Sequence, residues 1–522
     1  MKRALLALLV AGCAQSPPGT KPDWVVALGA PSPLSPALLG HYELSGALFH
    51  YDQNAALKDA MQALGFAEWR VGVGRWEIST RLLPTTDDGR TCAVSQFPPE
   101  SLAPVNATTL DLIASRDWLI DDGNPVTIAD TANDARYQLA YVRSVLDVAK
   151  AFGARAYVDL DHMPRALAIN RTPFRGGMPV GVDACLGTWT NRVSNVRPAD
   201  PNVFAAAAVG LVQRLVLGSG GEPGRDAPYW ELWNEPELGY AWDPMYETTP
   251  GKIDAWVQMA ATTLVQLDAF RKSATDARVQ GLKFGLGSFA SAATAVTLLQ
   301  GFDANPLPGG GNLPFDFVSF HAYDNDPTVI VDAMASVAAA RAASTHYRNV
   351  ELSLAEWNTD LTNGPPDSTM ERPLHHATVI AGAAALALEH AHQSIFYDFY
   401  APLPFGLVAN DGTPRPLYHA YELLQRAFAP GASRLAVDGA ANGLFAGSDG
   451  AVLATRGSDG KRRVLVINRA NAPRLVRVDA GGQPVAPTGV TLFDDPAEAP
   501  HDVAPSALVT VPAQSLALIV LD

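Results

Sequence analysis

The sequence is poor in cysteine and in positive charge. Its 522 residues contain three cysteines, which excludes a small scaffold held together by many disulfides. Lys and Arg number 38 against 53 Asp and Glu, so the formal net charge is −15. Since nucleic acids and anionic lipid surfaces select clusters of Lys and Arg, this balance argues against both as partners. An uncharged substrate such as a sugar fits the balance better.

Long hydrophobic runs are also missing, and no stretch after residue 20 is long and apolar enough for a transmembrane helix. Residues 1–20 are typical of an export signal, with Lys2 and Arg3 ahead of a short apolar segment. That segment ends in Val10 to Cys13, which resembles the lipobox of bacterial lipoproteins, where the cysteine is acylated. The resemblance implies export and a lipid anchor at Cys13 in the cell envelope, at the outer membrane. The alternative is a plain signal peptide with an incidental cysteine.

The rest of the chain is predicted to form two domains. Residues 21–40 are a linker or an addition to the C-terminal domain. In residues 41–429 short apolar runs alternate with long helical segments, which predicts an α/β fold, a (β/α)8 TIM barrel. Residues 430–522 alternate over short segments with Gly and Asp turns, which predicts an antiparallel β-sandwich accessory domain. The predicted barrel strands are Tyr42–Ser45, Ala67–Val71, Arg155–Leu160, Tyr229–Trp233, Lys283–Leu286, Phe315–Phe320, Val350–Ala355 and Ser394–Phe399, and the predicted helices include 134–152, 202–217, 252–273 and 372–390.

Two glutamates stand where a barrel places its active site, at the C-terminal ends of strands. Glu235 follows the fourth predicted strand and Glu356 follows the seventh. Hydrolysis of a glycosidic bond needs such a pair, one carboxyl group protonated to release the leaving oxygen and one ionised to attack the anomeric carbon. A separation of about 5–5.5 Å would imply a covalent glycosyl-enzyme and retention of configuration.

The motifs around both glutamates resemble those of a known family. Trp233 to Pro236 resembles the acid/base motif of the large clan of barrel glycosidases whose two glutamates follow strands four and seven. Within that clan, residues 231–237, 319–323, 354–358 and 405–418 look like glycoside hydrolase family 39, the family of β-xylosidases and α-L-iduronidases. The likeness covers about residues 40–430. It implies a retaining, β-xylosidase-like hydrolase of oligo- or polysaccharides. We expect no cofactor and no metal.

The resemblance also implies roles for four further residues. Asn234 would hydrogen-bond the sugar 2-hydroxyl, and Arg70 would lie beside Glu356 and keep it ionised. Tyr323 would donate a hydrogen bond to the same carboxylate, and His321 would line the glycone subsite and contact a hydroxyl or the acid/base. The alternatives are an ordinary ion pair for Arg70, packing for Tyr323 and a core position for His321.

Four other candidate residues are less specific. Asp159 and His162, at the end of strand three, would bind sugar hydroxyls or cap a loop, and their spacing matches no zinc site. Trp242 would form an aromatic wall for the aglycone or pack within its loop. Tyr400 falls at the end of strand eight, where many clan members place a tryptophan under the sugar. This departure leaves the sugar's identity open.

Two cysteines remain after Cys13. Export would place Cys92 and Cys185 in an oxidising compartment, where they form a disulfide between neighbouring loops or remain two unrelated thiols.

The rival enzyme is another retaining clan member, such as a β-glucosidase, a β-galactosidase or an endo-acting exopolysaccharide hydrolase. The rival from another class is a carbohydrate-binding surface lipoprotein without catalysis. The sequence predicts neither exo or endo action nor the oligomeric state.

Overall fold

The structure is a computed structural model that describes most of the chain. The described residues are 21–42, 55–72, 118–160, 163–169, 196–238, 242, 252–305, 307, 311–360, 364–366, 368–394, 406–409, 412–447 and 449–522. Cys13, Cys92, Cys185, His162 and Tyr400 lie outside these residues. The lipid anchor, the disulfide and the sugar contacts of His162 and Tyr400 therefore stay predictions.

Eight parallel strands close into a barrel in which each strand pairs with its neighbours in the sequence. Long helices alternate with the strands, so the predicted (β/α)8 fold is confirmed. The first to eighth barrel strands are Gly40–Tyr42, Glu68–Gly72, Arg155–Asp159, Tyr229–Glu231, Lys283–Phe289, Phe317–Tyr323, Glu351–Asn358 and His390–Ser394.

The helices begin at residues suited to their first turn. Asp200 and Asp326 each cap a helix that opens with proline, and their side chains accept the backbone N–H two residues later. Lys252–Ser273 has the predicted bounds, whereas the predicted helix over 134–152 begins at residue 140, because Asp134–Arg136 forms a separate 3-10 turn. The α-helices are Ala55–Leu64, Ala140–Ala151, Pro201–Leu217, Lys252–Ser273, Ala277–Gln280, Ala292–Ala304, Pro327–Ala343, Glu371–Ala385 and Pro416–Ala427, and the 3-10 turns are Pro36–Leu39, Asp130–Ala132, Asp134–Arg136 and Arg165–Leu167.

The eighth strand corrects the prediction from the sequence. A strand was expected at the apolar run 394–399, but the structure forms it at His390–Ser394. Apolar runs did not identify it because His390 and His392 are polar residues that pair with Glu68 inside the barrel. The first strand likewise lies at Gly40–Tyr42, two residues before the predicted start.

An ionic network fills the N-terminal end of the barrel. The Oε1 atom of Glu68 lies 2.6 Å from His390 Nδ1 and 3.0 Å from His392 Nε2, and its Oε2 accepts from Arg155 at 3.1 Å. The second ring nitrogen of His390 lies 3.3 Å from Glu351 Oε2. Glu68 and both histidines are buried, so these contacts offset the cost of removing the charges from water.

The charge of His390 makes the stability of the barrel depend on pH. Burial by itself would lower the pKa of His390, but the Glu68 and Glu351 carboxylates raise it to about 9. Because the folded pKa exceeds the unfolded value of about 6.5, the stabilisation is complete below pH 6.5 and is lost as the pH rises through 9.

We expect wild type to be more stable than His390→Asn by on the order of 3 kcal/mol near pH 6, with the difference shrinking toward pH 9.5. Urea unfolding across this pH range measures it. The exposed sandwich residue His501, replaced with asparagine, is the control and should show no such trend. A pH-independent difference for His390 would contradict the assignment.

The C-terminal domain is one curled, mostly antiparallel sheet that encloses its own apolar core. Trp24–Pro33 belongs to this sheet, pairing antiparallel with Ser433–Asp438 and parallel with Arg474–Ala480. A strand that precedes the barrel in the sequence thus belongs to the accessory domain. The remaining strands are Ala440–Ala441, Leu444–Phe445, Gly450–Arg456, Arg462–Asn468, Gln483–Pro484, Gly489–Phe493, His501–Val503, Val509–Val511 and Ser515–Leu521; a separate hairpin pairs Gly218–Ser219 with Glu222–Pro223.

The sheet packs against two barrel helices, Glu371–Ala385 and Pro416–Ala427. Thr455 Oγ1 donates to the carbonyl of Ala427 at 2.6 Å, and Arg434 donates to the carbonyl of Ala385 at 2.8 Å. These contacts fix the accessory domain to the side of the barrel. Among the described residues no helix has both the length and the apolarity needed to cross a bilayer.

Candidate active site

The turn after strand four holds its residues in strained backbone conformations. Trp233 and Glu235 have positive φ angles of 73° and 50°, on either side of Asn234. Such conformations cost about 1–3 kcal/mol each in residues other than glycine and cluster at functional sites. Ser288 stabilises the turn: its carbonyl accepts from the Glu235 N–H at 2.6 Å, and its N–H donates to the carbonyl of Trp233 at 3.0 Å.

The two glutamates predicted to be catalytic lie close together at the C-terminal mouth of the barrel. The side chain of Glu235 is 16% exposed and that of Glu356 is 7% exposed. Both carboxyl groups are therefore largely removed from water but still accessible to a ligand. His321 lies between them, with Nδ1 2.8 Å from Glu235 Oε1 and Nε2 3.7 Å from Glu356 Oε2. One carboxylate oxygen of each glutamate lies within 4.8 Å of the other. That spacing matches the short separation at which one carboxyl group attacks a centre and the other protonates its leaving group.

Arg70 joins strands two, three, four and seven beneath this pair. Its Nε donates to Glu231 at 2.5 Å, and its Nη2 donates to Asp159 at 2.8 Å and to Asn234 Oδ1 at 3.0 Å. Its Nη1 lies 3.4 Å from Glu356 Oε2. Burial alone would lower the pKa of Arg70, but Glu231 and Asp159 raise it well above its usual value. The guanidinium is therefore a fixed positive charge.

Two donors face the Glu356 carboxylate. Tyr323 donates to its Oε1 at 2.5 Å, and Arg70 faces its Oε2. Burial, followed by the Glu356 charge, raises the pKa of Tyr323 well above 10, so the phenol keeps the proton that it donates.

Glu235 is close enough to Glu356 for its charge to affect the pKa of Glu356. Burial raises the pKa of Glu356 and the Glu235 carboxylate raises it further, against the opposing effects of His321, Arg70 and Tyr323. Two negative charges this close repel each other, so a proton shared between the two carboxyl groups lowers the energy of the site. When the pair holds one proton, Glu356 is the better site for the negative charge, because Arg70 and Tyr323 stabilise its ionised form.

Glu231 is a functional candidate that the sequence reasoning missed. It is fully buried and accepts three hydrogen bonds, from Arg70, from Tyr157 Oη at 3.0 Å and from Ser319 Oγ at 2.6 Å. It thereby fixes the guanidinium that faces Glu356. Glu231 stands inside the recognised motif, but only the barrel geometry shows that its side chain points inward to Arg70.

A third acid lies beside the pair. Both carboxylate oxygens of Glu237 are buried and make no hydrogen bond among the residues that the structure describes. Burial raises the pKa of Glu237, and the nearby Glu235 adds to this shift. A proton on Glu237 would avoid placing a further negative charge beside the pair.

The structure places the less specific candidates as follows. Asp159 is buried and pairs with Arg70 in the network beneath the site. Trp242 is fully buried and packs edge-on against Trp233, with ring centroids 4.8 Å apart. That contact favours packing over an aromatic wall exposed to a ligand.

We expect Arg70→Met to lower the free energy of unfolding by about 3–5 kcal/mol, because three buried carboxylates would lose their common cation. Urea denaturation at pH 7 measures the loss. Arg155→Met is the control, since Arg155 is half exposed and pairs with a single carboxylate of the described residues, Glu68. Equal losses for the two variants would show that Arg70 has no special role.

Two groups of described residues have the donor types of a metal site: Glu68, His390 and His392, and Glu235, His321 and Glu356. In both, the donor atoms lie within 4.8 Å of one another. Glu68 hydrogen-bonds both histidines of the first group, and His321 hydrogen-bonds Glu235 in the second, where Arg70 and Tyr323 face the Glu356 carboxylate. The absence of a metal stays a prediction.

Comparisons with known proteins find solved structures that resemble this fold, but no family model or curated protein that matches the sequence. Solved structures match over nearly its whole length. The glycoside hydrolase family 39 enzyme from Xanthomonas axonopodis pv. citri is 18% identical, with a TM-score of 0.59, over 97% of this chain and 99% of that one.

Two other solved structures show the same similarity. A glucosidase from Croceicoccus marinus is 15% identical with a TM-score of 0.59, over 95% of this chain and 99% of that chain. The family 51 arabinofuranosidase from Xanthomonas axonopodis pv. citri is 13% identical with a TM-score of 0.55, over 95% and 99%. The chain thus shares with these glycoside hydrolases the fold of a barrel joined to a β domain.

Proposed function

We propose that the chain is a retaining glycoside hydrolase of the barrel clan, with Glu235 as acid/base and Glu356 as nucleophile. The observation that carries the proposal is the meeting of two carboxylates within 4.8 Å at the C-terminal mouth of a barrel. So close an approach of two carboxylate oxygens favours retention, because an inverting pair is held about 6.5–9.5 Å apart to leave room for a water molecule.

In the first step Glu235 protonates the glycosidic oxygen while Glu356 attacks the anomeric carbon and the leaving group departs. The bond formed is an ester between the sugar and Glu356. In the second step Glu235, now ionised, removes a proton from water, which attacks the same carbon and releases Glu356. Two displacements restore the original configuration.

Neighbouring residues support each step. Arg70 and Tyr323 stabilise Glu356 as a carboxylate before attack and after release. Asn234 accepts from Arg70 through Oδ1, which leaves its amide NH2 to donate to the sugar 2-hydroxyl. That contact strengthens as positive charge develops on the ring. The strained turn holds the amide and the acid/base next to each other.

Within this reaction class we propose β-xylosidase-like specificity, on the motif resemblance to family 39. The similar solved structures are described as a glucosidase, xylanases, xyloglucanases and an arabinofuranosidase, so their substrates differ. Other retaining specificities of the clan are the alternative. A panel of aryl glycosides, followed by proton NMR of the first product anomer, tests both levels: the accepted sugar gives the specificity, and the retained anomer gives the mechanism.

A non-catalytic carbohydrate-binding protein is the second candidate. It would bind sugars with the same residues but release no product from any glycoside. Unchanged sugar binding by Glu356→Gln, together with no measurable turnover in the parent, would favour it. A released sugar in the parent that is absent in the variant favours the hydrolase.

We also propose that the protein is exported and held at the cell envelope by acylation of Cys13, as the resemblance to a lipobox implies. Metabolic labelling with an alkynyl fatty acid tests this. We expect label in the wild-type chain and none in Cys13→Ser, with the variant recovered in the soluble envelope fraction. Unlabelled wild type would leave a plain signal peptide as the explanation.

A further inference from the structure

Strand five bends so that Ser288 faces the active site. The pairing of strands five and six shifts register between Gly285 and Ser288, and Gly287 has a φ of +144°. A Cβ atom at Gly287 would lie 2.7 Å from the carbonyl oxygen of Leu232, so this position requires glycine. Bulges of this kind redirect side chains beside active sites. Here the result is a fully buried hydroxyl that points to His321.

Ser288 is linked to the acid/base by two hydrogen bonds in series. Its Oγ lies 2.5 Å from His321 Nε2, and His321 Nδ1 lies 2.8 Å from Glu235 Oε1. The main chain of Ser288 also holds the strained turn that carries Glu235. One residue thus contacts both the backbone of the acid/base and the imidazole that faces its carboxyl group.

A hydroxyl can satisfy His321 in both protonation states that the reaction requires. While the His321–Glu235 pair holds its additional proton, Nε2 carries a hydrogen, and Ser288 Oγ accepts it. After the pair has lost that proton, Nδ1–H donates to the Glu235 carboxylate, and the Ser288 hydroxyl donates to the bare Nε2. A side chain that only donates or only accepts would suit one of these states.

The charges around His321 favour the state with the additional proton. Glu235 and Glu237 face it from the turn after strand four, Glu356 faces it from strand seven, and Arg70 opposes them from strand two. Burial would lower the pKa of His321, but Glu356 and Glu235 together raise it. Of these neighbours, Arg70 is the one fixed positive charge.

We propose that Ser288 is a positioning residue that, through His321, stabilises the protonated state of the acid/base and still hydrogen-bonds the imidazole after that proton has left. This proposal rests on the proposed function for its role in turnover. The hydrogen-bond geometry at Ser288 and His321 is independent of that function. Ser288 does not itself contact the reacting atoms.

The test measures the titration of His321 directly. Protein labelled with 15N-histidine is followed by NMR against pH, and His321→Asn identifies the signal by its loss. Ser288→Ala removes the hydrogen bond to Nε2 in both states, but the bond accepted from the charged imidazolium is the stronger of the two, so we expect the His321 titration to move down by about half to one pH unit. Alanine keeps the backbone amide and carbonyl that hold the turn, so the fold is retained.

Ser291→Ala is the matched control. Ser291 lies three residues further on and caps the helix Ala292–Ala304, with its Oγ accepting from the Thr294 N–H at 3.2 Å. It should lower stability and leave the His321 titration unchanged. An unchanged or raised titration in Ser288→Ala would overturn the proposal.

The basic limb of kcat/KM against pH provides the second readout, because it reports loss of the acid's proton from the free enzyme. We expect Ser288→Ala to shift that limb down by the same amount as the NMR titration. If the wild type hydrolyses no glycoside, the proposed function fails, but the NMR titration still decides the role of Ser288.

Discussion

Replacing Glu356 with glutamine is expected to lower kcat on an aryl glycoside by about 10⁴-fold or more. Glutamine keeps the shape of the side chain, and Tyr323 can still donate to its amide oxygen. Arg70 still has Glu231, Asp159 and Asn234 as partners. The fold and the sugar site should therefore survive, so the loss will appear in kcat rather than in sugar binding.

The matched control for this substitution lies on the same strand. Glu351→Gln changes a glutamate five residues earlier, at the opposite end of the barrel, where it contacts His390 and Lys283. We expect it to reduce stability with little change in kcat. If Glu356→Gln turned over at more than a tenth of the wild-type rate, Glu356 would not be the nucleophile.

Replacing Glu235 with alanine is expected to produce an enzyme that azide rescues. A substrate with a good leaving group needs no acid in the first step, so the glycosyl-enzyme still forms. Its hydrolysis slows by about 10²–10⁴-fold because water has lost its general base. Azide is ionised and needs no base, so it should restore kcat and give a glycosyl azide of retained configuration.

Glu237→Gln is the control for azide rescue, since it changes a neighbouring acid two residues away. It should gain nothing from azide, whatever its own activity. On substrates with poor leaving groups, Glu235→Ala should also lose kcat/KM, because departure of the leaving group then needs its proton. Azide rescue of the Glu237 variant in place of the Glu235 variant would reassign the acid/base.

Local patterns in the sequence were enough to predict the barrel and its two glutamates. A barrel strand ends where an apolar run meets polar residues, and both Trp233 to Glu235 and Ala355 to Asn358 show this transition. The first and last residues of helical segments such as 252–273 could be predicted from the local residue composition. These features depend on neighbours in the chain, which is why the sequence reveals them.

The features that the sequence did not reveal depend on partners far away in the chain. His390 and His392 form a barrel strand because Glu68, more than 300 residues earlier, satisfies them. Trp24–Pro33 contains proline and glycine and resembles a tether, yet its strand partners lie beyond residue 430. Periodicity contains no information about such pairings.

The same limit applies within the site. Glu231 stands in the recognised motif, but its role follows from Arg70, which lies 161 residues away. Ser288 follows two glycines in Gly285 to Ser288, a local signal for a bulge in a strand. That signal shows where the strand bends, but not that the redirected hydroxyl reaches His321.

The most direct test of the account is to trap the covalent intermediate with a 2-deoxy-2-fluoroglycoside that has a good leaving group, and to find the labelled peptide by mass spectrometry. The account predicts one sugar per chain, bound to Glu356, and no label in Glu356→Gln. A label on another residue, or turnover that yields the inverted anomer with no label, would contradict it.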